Sequence, residues 1–480
     1  MNDNTTVKPH ALVSFLHPTL HQRWFRSNLR IITDGVRNRV ESHDDMDSFG
    51  DLKRYQSILG TASETQRNAM LEAIAQALEH NLPRIVKANA IDLVEAERQQ
   101  LAVPLRKRLV MDDHKLAGVC EGIRQVAALP DPIGRIRERR LLDDSLVLER
   151  VSVPIGVIGM IFESRPDALV QILSLCLKSG NAIILKGGSE ALQTNRILVR
   201  IIREALEGFD AASGWIVHLE SREDVRTLLG LDSIVDLLIP RGSNEFVRYV
   251  MDHTRIPVLG HADGICALYV DEFASTNMAV RVAVDAKCQY PAVCNAIETL
   301  LVHQKQAKVF LPAFQQAVEA HAVVIHGDER VRSIIECSEA TDTDWDTEYL
   351  GYEIAIKVVD SIDEAISHIA CHGSGHTDCI VTEDADRARL FLRHVDSADV
   401  FWNCSTRFAD GFRFGLGAEV GISTQKIHAR GPVGLDGLVT SKWLLAGKGQ
   451  IVASYESGDA SFTHQDLPTE GIGILGEVLR

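Results

Sequence analysis

Short apolar segments that alternate with helical ones are the feature that most restricts the fold of this chain. From residue 155 to 239, strand patterns alternate with helix patterns at short spacing. Parallel strands need a long crossover connection, which is usually a helix, so this alternation predicts a parallel, doubly wound sheet. The predicted strands are 155–161, 181–186, 215–219 and 234–239, and the predicted helices are 167–178 and 197–208.

A second α/β series begins near residue 265. Its predicted strands are 266–270, 299–302, 355–359 and 379–382, again separated by helices. Before the first series, apolar residues at spacings of three and four predict a helix over 65–78, and residues 141–154 read as a hairpin with its turn at 143–145. A chain of 480 residues exceeds one compact core, so we expect roughly two or three domains.

The composition argues against membranes and nucleic acid as binding partners. No apolar run approaches the ~18 residues of a membrane span, and the net charge of −16 argues against nucleic acid or an anionic membrane as partner. A small anionic ligand would therefore need a local cluster of arginine and lysine. Nine cysteines without a Cys-x-x-Cys pair indicate reduced thiols in a cytosol-like compartment.

The N-terminal residues differ from the rest. Between residues 21 and 40 stand five arginines and one acidic residue, Asp34. We expect a loosely ordered extension or docking arm, and a targeting segment is the alternative.

Cys294 is the candidate nucleophile. It lies in a proline-bounded turn directly before an apolar segment that reads as a helix or a buried strand. A thiol in such a turn has the accessibility and the nearby backbone N–H groups that a thiolate needs. A structural cysteine more often lies inside an apolar run, as Cys176 does, and Cys288 has no predicted role.

Two predicted strands end in turns suited to a nucleotide. Glycines at a strand end allow close approach of backbone to phosphate, and a plain β–α turn is the alternative. The glycines at 415, 417 and 421 lack the dinucleotide-binding spacing and predict only a tight loop. The two turns are Lys186-Gly187-Gly188-Ser189 and Pro240-Arg241-Gly242-Ser243.

Three arginines stand beside other hydrogen-bond donors. Arg165, Arg407 and Arg430 would suit bidentate binding of carboxylate or phosphate, and solvated surface positions are the alternative. The cysteines and histidines between 371 and 379 have zinc-ligand chemistry, but the segment runs into a strand, so we predict a loop and no metal.

Four longer segments together resemble the γ-glutamyl phosphate reductase family of the aldehyde dehydrogenase superfamily. They are residues 156–166, 180–188, 294–301 and 414–432, and the resemblance covers about residues 47–455. Details such as Gln289-Tyr-Pro-Ala are most similar to the reductase half of pyrroline-5-carboxylate synthetases. The resemblance implies an aldehyde dehydrogenase-like α/β fold, with two doubly wound domains and a β-hairpin oligomerisation arm.

The resemblance also implies an activity. It is the NADPH-dependent reduction of L-glutamyl 5-phosphate to glutamate 5-semialdehyde, the second step from glutamate to proline, through a thioester on Cys294. Lys186 would contact the adenosine ribose and Glu348 the nicotinamide ribose, with further NADP contacts at 187–189 and 240–243. The residues expected to bind the oxyanion or the substrate are Glu163, Ser164, Arg165, Asn295, Arg407, His428 and Arg430.

A missing glutamate before the cysteine indicates the direction of the reaction. Aldehyde-oxidising relatives carry a water-activating glutamate about thirty residues before the cysteine, whereas residues 258–264 here contain none. The thioester would then persist for hydride or phosphate. His261 and Asp263 remain alternative bases. The alternatives for the whole chain are another acylating or oxidising aldehyde dehydrogenase, or a non-catalytic protein that kept the fold.

The same resemblance suggests how the chain is divided. We expect an extension at 1–46, an NADP-binding Rossmann-like domain at 47–265 interrupted by a hairpin at 137–154, a catalytic domain at 266–436, and an oligomerisation strand and tail at 437–480, with the strand near 444–454. A homodimer or homotetramer is expected. No kinase segment is present, so a glutamate 5-kinase would be a separate partner. The expected location is cytoplasmic, or organellar if the N-terminal arginines target the protein.

Overall fold

A computed structural model describes residues 43–101, 103–221, 223–260, 263–426, 429–471 and 473–478. The chain divides into two compact units, Met1–Leu52 and Lys53–Arg480. Of the first unit, the structure describes only the start of the helix His43–Thr61. The arginine-rich segment of the predicted extension lies outside the described residues.

Helices alternate with strands along the chain, as predicted, and the predicted helix over 65–78 is present. Glu64–His80 begins with a capping box, in which Ser63 Oγ accepts from the N–H of Gln66 and Gln66 Oε1 accepts from the N–H of Ser63. The helices after it are Leu82–Arg98, Val103–Leu109, Asp113–Ala128, Pro166–Lys178, Leu192–Ala205, Glu223–Leu229, Asn244–Asp252, Thr276–Cys288, Gln304–Val318, Glu329–Arg332, Ile362–His372, Ala385–His394, Val452–Glu456 and Ile474–Val478, with 3-10 turns at Ser189–Ala191, Glu319–His321, Asp342–Asp346, Thr406–Phe408 and Leu435–Leu438.

Seventeen strands are present in the described part of the chain. They are β1 Ile136–Asp143, β2 Leu146–Pro154, β3 Val157–Phe162, β4 Ala182–Gly187, β5 Ile216–Leu219, β6 Leu237–Arg241, β7 Cys266–Val270, β8 Ile297–His303, β9 Val324–Gly327, β10 Ser338–Glu339, β11 Glu353–Val359, β12 Thr377–Val381, β13 Asp399–Trp402, β14 Gly421–Ser423, β15 Gly431–Val433, β16 Val439–Ala446 and β17 Gln465–Asp466.

Two parallel sheets form the core of the second unit. The first has the order β5-β4-β3-β6, and the second has the order β10-β9-β11-β8-β7-β12-β13. Every residue of β3, β4, β7 and β8 is buried, which explains why these strands read as apolar runs rather than as alternating patterns. The predicted α/β class with two doubly wound sheets is confirmed, and the segment after Cys294 is a buried strand.

The hairpin is present as predicted, and the tail strand is shifted. β1 and β2 pair antiparallel around the turn before Leu146, within the sheet β16-β2-β1-β17. The prediction of a tail strand near 444–454 was wrong in its bounds, because β16 pairs antiparallel with β2 from Val439 to Ala446 and therefore ends opposite the start of β2. Gly449, at a φ of 99°, follows the strand, and residues 452–456 are helical.

The cysteine and histidine segment is built into ordinary elements. Cys371 and His372 end the helix Ile362–His372, whereas Cys379 is buried inside β12. Within the described ranges, no group of three or more His, Cys, Asp or Glu side chains is placed to hold a metal ion. The same ranges contain no helix that is both long and apolar enough to cross a membrane.

Candidate active site

Cys294 lies in a turn between the helix Thr276–Cys288 and β8. The turn closes when the N–H of Ala296 donates to the carbonyl of Val293, at 3.0 Å. The thiol of Cys266 donates to the carbonyl of Cys294, at 3.1 Å, and Asn295 Nδ2 donates to the carbonyl of Ala409, at 2.7 Å. The backbone around Cys294 is therefore fixed on both sides, while the residue as a whole is only partly buried.

A cleft of about 1380 Å³ opens at this thiol. Most of the residues predicted for the site converge on it, which the sequence could only suggest from separate motifs. The predicted residues that line the cleft are Glu163, Arg165, Pro240, Arg241, Gly242, Ser243, Cys294, Asn295, Glu348 and Arg407.

The surroundings of Cys294 disfavour the thiolate in this state. Burial raises the pKa of the Cys294 thiol to about 12, and the carboxylates of Glu348 and Glu419 add to this rise. Arg241 is the cation that lowers the pKa, together with the residue's own backbone N–H. The thiol is therefore neutral at pH 7 until another group takes its proton or stabilises the sulfur anion.

Four arginines line the cleft without a carboxylate partner among the described residues. They are Arg108, Arg165, Arg241 and Arg407. The guanidinium of Arg407 is buried and donates to the neutral Gln289 Oε1, at 3.0 Å. Burial lowers the pKa of Arg165, and the charges of Arg241 and Arg108 lower it further. Cations that repel one another and lack a counter-ion make this cleft suited to an anion, in a protein of net charge −16.

The structure places Arg430 elsewhere. Its guanidinium donates to Asp396, at 3.0 Å to the carboxylate and 2.7 Å to the carbonyl, and Lys426 pairs with the same carboxylate. Arg430 is absent from the described lining of the cleft. His428 and His261 lie outside the described residues.

The serine of the Glu163-Ser164-Arg165 segment is not directed into the cleft. Its N–H and hydroxyl both donate to Glu190 Oε1, at 2.5 and 2.9 Å. Ser164 is buried and has a φ of 48°, a left-handed conformation that a serine rarely adopts. This kink lets Glu163 and Arg165 face the cleft on either side of a buried serine.

A second group of predicted residues lies at the end of β4. Lys186 is buried and donates to the carbonyl of Gly187, and Ser189 begins a 3-10 turn. A Cβ on Gly188 would lie 2.0 Å from Glu190 Oε1, so only glycine fits there without moving that side chain. In the strand order β5-β4-β3-β6, this turn lies at the same sheet edge as the end of β6.

Glu348 connects this edge with the thiol. Its carboxylate accepts from Asn244 Nδ2, at 2.6 Å, and from the backbone N–H of Gly264. Burial raises the pKa of Glu348, and these hydrogen bonds oppose the rise. Asp263, the alternative base, is instead paired with Arg248 and also accepts from Asn244 Nδ2, at 3.3 Å.

Known proteins match both the sequence and this architecture. Residues 53–333 match the model of the aldehyde dehydrogenase family. The gamma-glutamyl phosphate reductase of Ruminiclostridium cellulolyticum is 56% identical over 406 residues, which are 85% of this chain and 94% of that protein. The chain belongs to the gamma-glutamyl phosphate reductase family.

Two further comparisons agree with this assignment. The gamma-glutamyl phosphate reductase of Pelotomaculum thermopropionicum is 54% identical over 87% of this chain and 96% of its own length. The crystal structure of the gamma-glutamyl phosphate reductase of Thermotoga maritima is 40% identical, covers 85% of this chain and 99% of its own, and superposes with a TM-score of 0.83. The resemblance stated from the motifs is confirmed, and the chain is an oxidoreductase of the aldehyde dehydrogenase superfamily, whose members use NAD or NADP.

Arg108 and Glu419 are charged cleft residues that sequence reasoning missed in this reductase-family chain. Arg108 belongs to a basic run, Arg106-Lys107-Arg108, whose charge pattern could have been noticed. Glu419 lies within the glycine-containing segment that predicted only a tight loop, yet it lines the cleft. No local spacing distinguishes a loop carboxylate that reaches a distant cysteine from one that is solvated.

Proposed function

We propose that this chain uses NADPH to reduce L-glutamyl 5-phosphate to L-glutamate 5-semialdehyde and phosphate, the second step of proline biosynthesis from glutamate. The observation that carries the proposal is the group of four arginines, unpaired with any carboxylate in the described chain, around the cleft of Cys294. The substrate carries two anionic groups, an acyl phosphate and an α-carboxylate, and the arginines supply bidentate donors for both.

In the proposed reaction the sulfur of Cys294 attacks the C5 carbonyl, the bond from C5 to the phosphate oxygen breaks, and phosphate leaves with the electron pair. Attack requires loss of the thiol proton, which ends on the departing phosphate. Arg241 is the cation that lowers the pKa of this thiol, so we assign it the stabilisation of the thiolate. The backbone N–H of Cys294 and the side chain of Asn295 would hold the oxyanion.

NADPH supplies the hydride when it is bound. The fit of the chain to it is supported by Gly188 and Gly242 at the strand ends, where a Cβ would collide with Glu190 and Phe246, so both turns keep the bare backbone that a nucleotide phosphate can approach. Lys186 and Ser189 would hold the adenosine ribose, and Glu348, fixed by Asn244, would hold the nicotinamide ribose. We propose that the enzyme prefers NADPH over NADH.

We also propose how the chain is organised and where it works. Trp443 and Leu445 on β16 are 55% and 59% exposed, which suits an arm that packs against another subunit of a homodimer or homotetramer.

The NADP-binding part would span 47–265 and the catalytic part 266–436. A glutamate 5-kinase would supply the labile acyl phosphate. All nine cysteines are free thiols, which suits the cytoplasm.

The test is the reverse assay. Purified chain is given glutamate 5-semialdehyde with NADP or NAD, in the presence and absence of phosphate. We expect reduction of NADP that requires phosphate, and no activity for Cys294→Ala. Activity without phosphate would indicate a hydrolytic aldehyde dehydrogenase, and activity that needs coenzyme A would indicate an acylating one. Equal rates with NAD and NADP would remove the cofactor preference alone.

A further inference from the structure

We propose that Glu419 receives the α-ammonium group of the substrate and so makes the site specific for an amino acid. This inference rests on the proposed function and extends it. The four arginines account for the two anionic groups of glutamyl phosphate, but they leave its single positive charge without a partner. A cleft that binds this substrate therefore needs an anion among its cations.

Most carboxylates of the cleft already have partners. Asp112 accepts from the N–H of Lys115 at the start of a helix, and Asp167 is paired with the ammonium of Lys115, at 3.2 Å. Asp410 accepts from the N–H groups of Phe412 and Arg413, at 3.0 and 3.1 Å. These carboxylates hold the protein's own chain in place.

Glu163 accepts from the N–H of Ser243, and Glu348 is held by Asn244. Glu419 is distinguished by its position, because it and Glu348 are the two carboxylates whose charges act on the Cys294 thiol, and Glu348 is already held. One of its oxygens accepts from the N–H of Gly411, at 2.7 Å, and no cationic side chain of the described residues forms an ion pair with it. It is half-buried and lines the cleft together with Cys294 and Arg407. Its charge acts on the Cys294 thiol and is itself influenced by Arg241, so it lies within electrostatic reach of both.

The position suits the substrate's chemistry. In glutamyl phosphate the ammonium and α-carboxylate share one carbon, three bonds from the reacting carbonyl. An arginine and a carboxylate on one loop, Arg407 and Glu419, can bind this pair while the carbonyl lies at the thiol. A substrate that lacks the ammonium would leave the Glu419 carboxylate desolvated and unpaired, which is how a polar site rejects an analogue.

The experiment compares two aldehydes in the phosphate-dependent reduction of NADP. They are glutamate 5-semialdehyde and glutarate semialdehyde, which lacks only the amino group. Wild type should prefer the amino substrate in kcat/KM by roughly 10- to 100-fold, the range for a hydrogen bond to a charged group. Glu419→Gln should lower kcat/KM for the amino substrate by that factor and leave the value for the analogue within about threefold.

Two further variants make the result decisive. Glu419→Asp keeps a carboxylate and should keep a preference for the amino substrate. Asp410→Asn changes a carboxylate of the same loop that is bonded to backbone, and it should change both substrates by the same factor. Ring closure of glutamate semialdehyde lowers its free concentration equally for all variants, so comparison between variants removes this effect.

The outcomes separate the two proposals. If wild type shows no phosphate-dependent activity with glutamate semialdehyde, the proposed function fails, and this inference fails with it. If wild type is active and Glu419→Gln lowers both substrates equally, or neither, the proposed function stands and the ammonium-binding role of Glu419 is overturned.

Discussion

Gly264 packs directly against the backbone of Cys294. A Cβ at position 264 would lie 2.3 Å from the carbonyl oxygen of Cys294 and 2.5 Å from its Cα, closer than real Cβ contacts. The same atom would lie 2.6 Å from Glu348 Oε1. The missing side chain is therefore what allows the cysteine turn and the Glu348 carboxylate to approach each other.

Gly264→Ala should disable the site without unfolding the protein. The added methyl group must displace the Cys294 backbone, and a shift of about 1 Å at a reacting atom costs on the order of 100-fold in rate. We expect kcat/KM in the phosphate-dependent assay to fall by at least that factor, with little change in the thermal unfolding midpoint. Gly260→Ala is the matched control, since its Cβ would meet nothing closer than 3.7 Å. Equal activity of both variants would contradict this account.

Substitutions of Arg407 and Arg430 should differ sharply in their effect on kcat/KM. Arg407 lies in the cleft and has only a neutral partner, whereas Arg430 is held by Asp396. Arg407→Gln should lower kcat/KM for the acyl phosphate by about 10- to 100-fold, because a charged hydrogen bond is lost. Arg430→Ala should stay within about threefold of wild type. A large loss in Arg430→Ala would return that arginine to the list of substrate-binding residues.

The raised pKa of Cys294 predicts slow alkylation in the ligand-free protein. With a pKa of about 12, the thiolate fraction grows roughly tenfold for each pH unit, and no plateau appears between pH 7 and pH 9. Rates of carbamidomethylation, followed by peptide mass spectrometry, should show this slope, with the exposed Cys371 as a reference for reagent access. Arg241→Gln should slow the reaction further, because it removes the cation that lowers the pKa. A plateau below pH 9 would show that the thiolate is already stabilised.

Periodicity and motifs predicted the two parallel sheets because their strands are buried throughout and therefore appear as apolar runs. Most of the predicted site residues also line the cleft, because the carboxyl ends of β3 and β6 bring Glu163, Arg165 and Arg241 to one sheet edge. They could not predict that Arg430 would pair with Asp396. Whether an arginine faces a cleft or a neighbouring carboxylate depends on contacts between residues 34 positions apart, which no local pattern encodes.

A buried ion pair supports the loop that carries Glu348. Lys287 pairs with Glu298, both fully shielded from solvent, and the second oxygen of Glu298 accepts from the N–H of Leu350, at 3.3 Å. Leu350 has a φ of 52°, so the loop bends sharply at this contact. Burial raises the pKa of Glu298 and lowers that of Lys287, and each charge opposes the effect of burial on the other.

Removing one partner of this pair should cost more than removing both. Glu298→Gln leaves the Lys287 ammonium buried without its counter-ion, and we expect the free energy of unfolding in urea to fall by about 3–5 kcal/mol. The double variant Lys287→Met with Glu298→Gln should recover part of this loss, since no uncompensated charge remains. The KM for the nicotinamide cofactor should rise in Glu298→Ala, because this variant removes the oxygen that accepts from the N–H of Leu350. Lys305→Met, which breaks the exposed pair with Glu272, should change stability by less than about 1 kcal/mol. Additive losses in the double variant would show that the two side chains stabilise the protein independently.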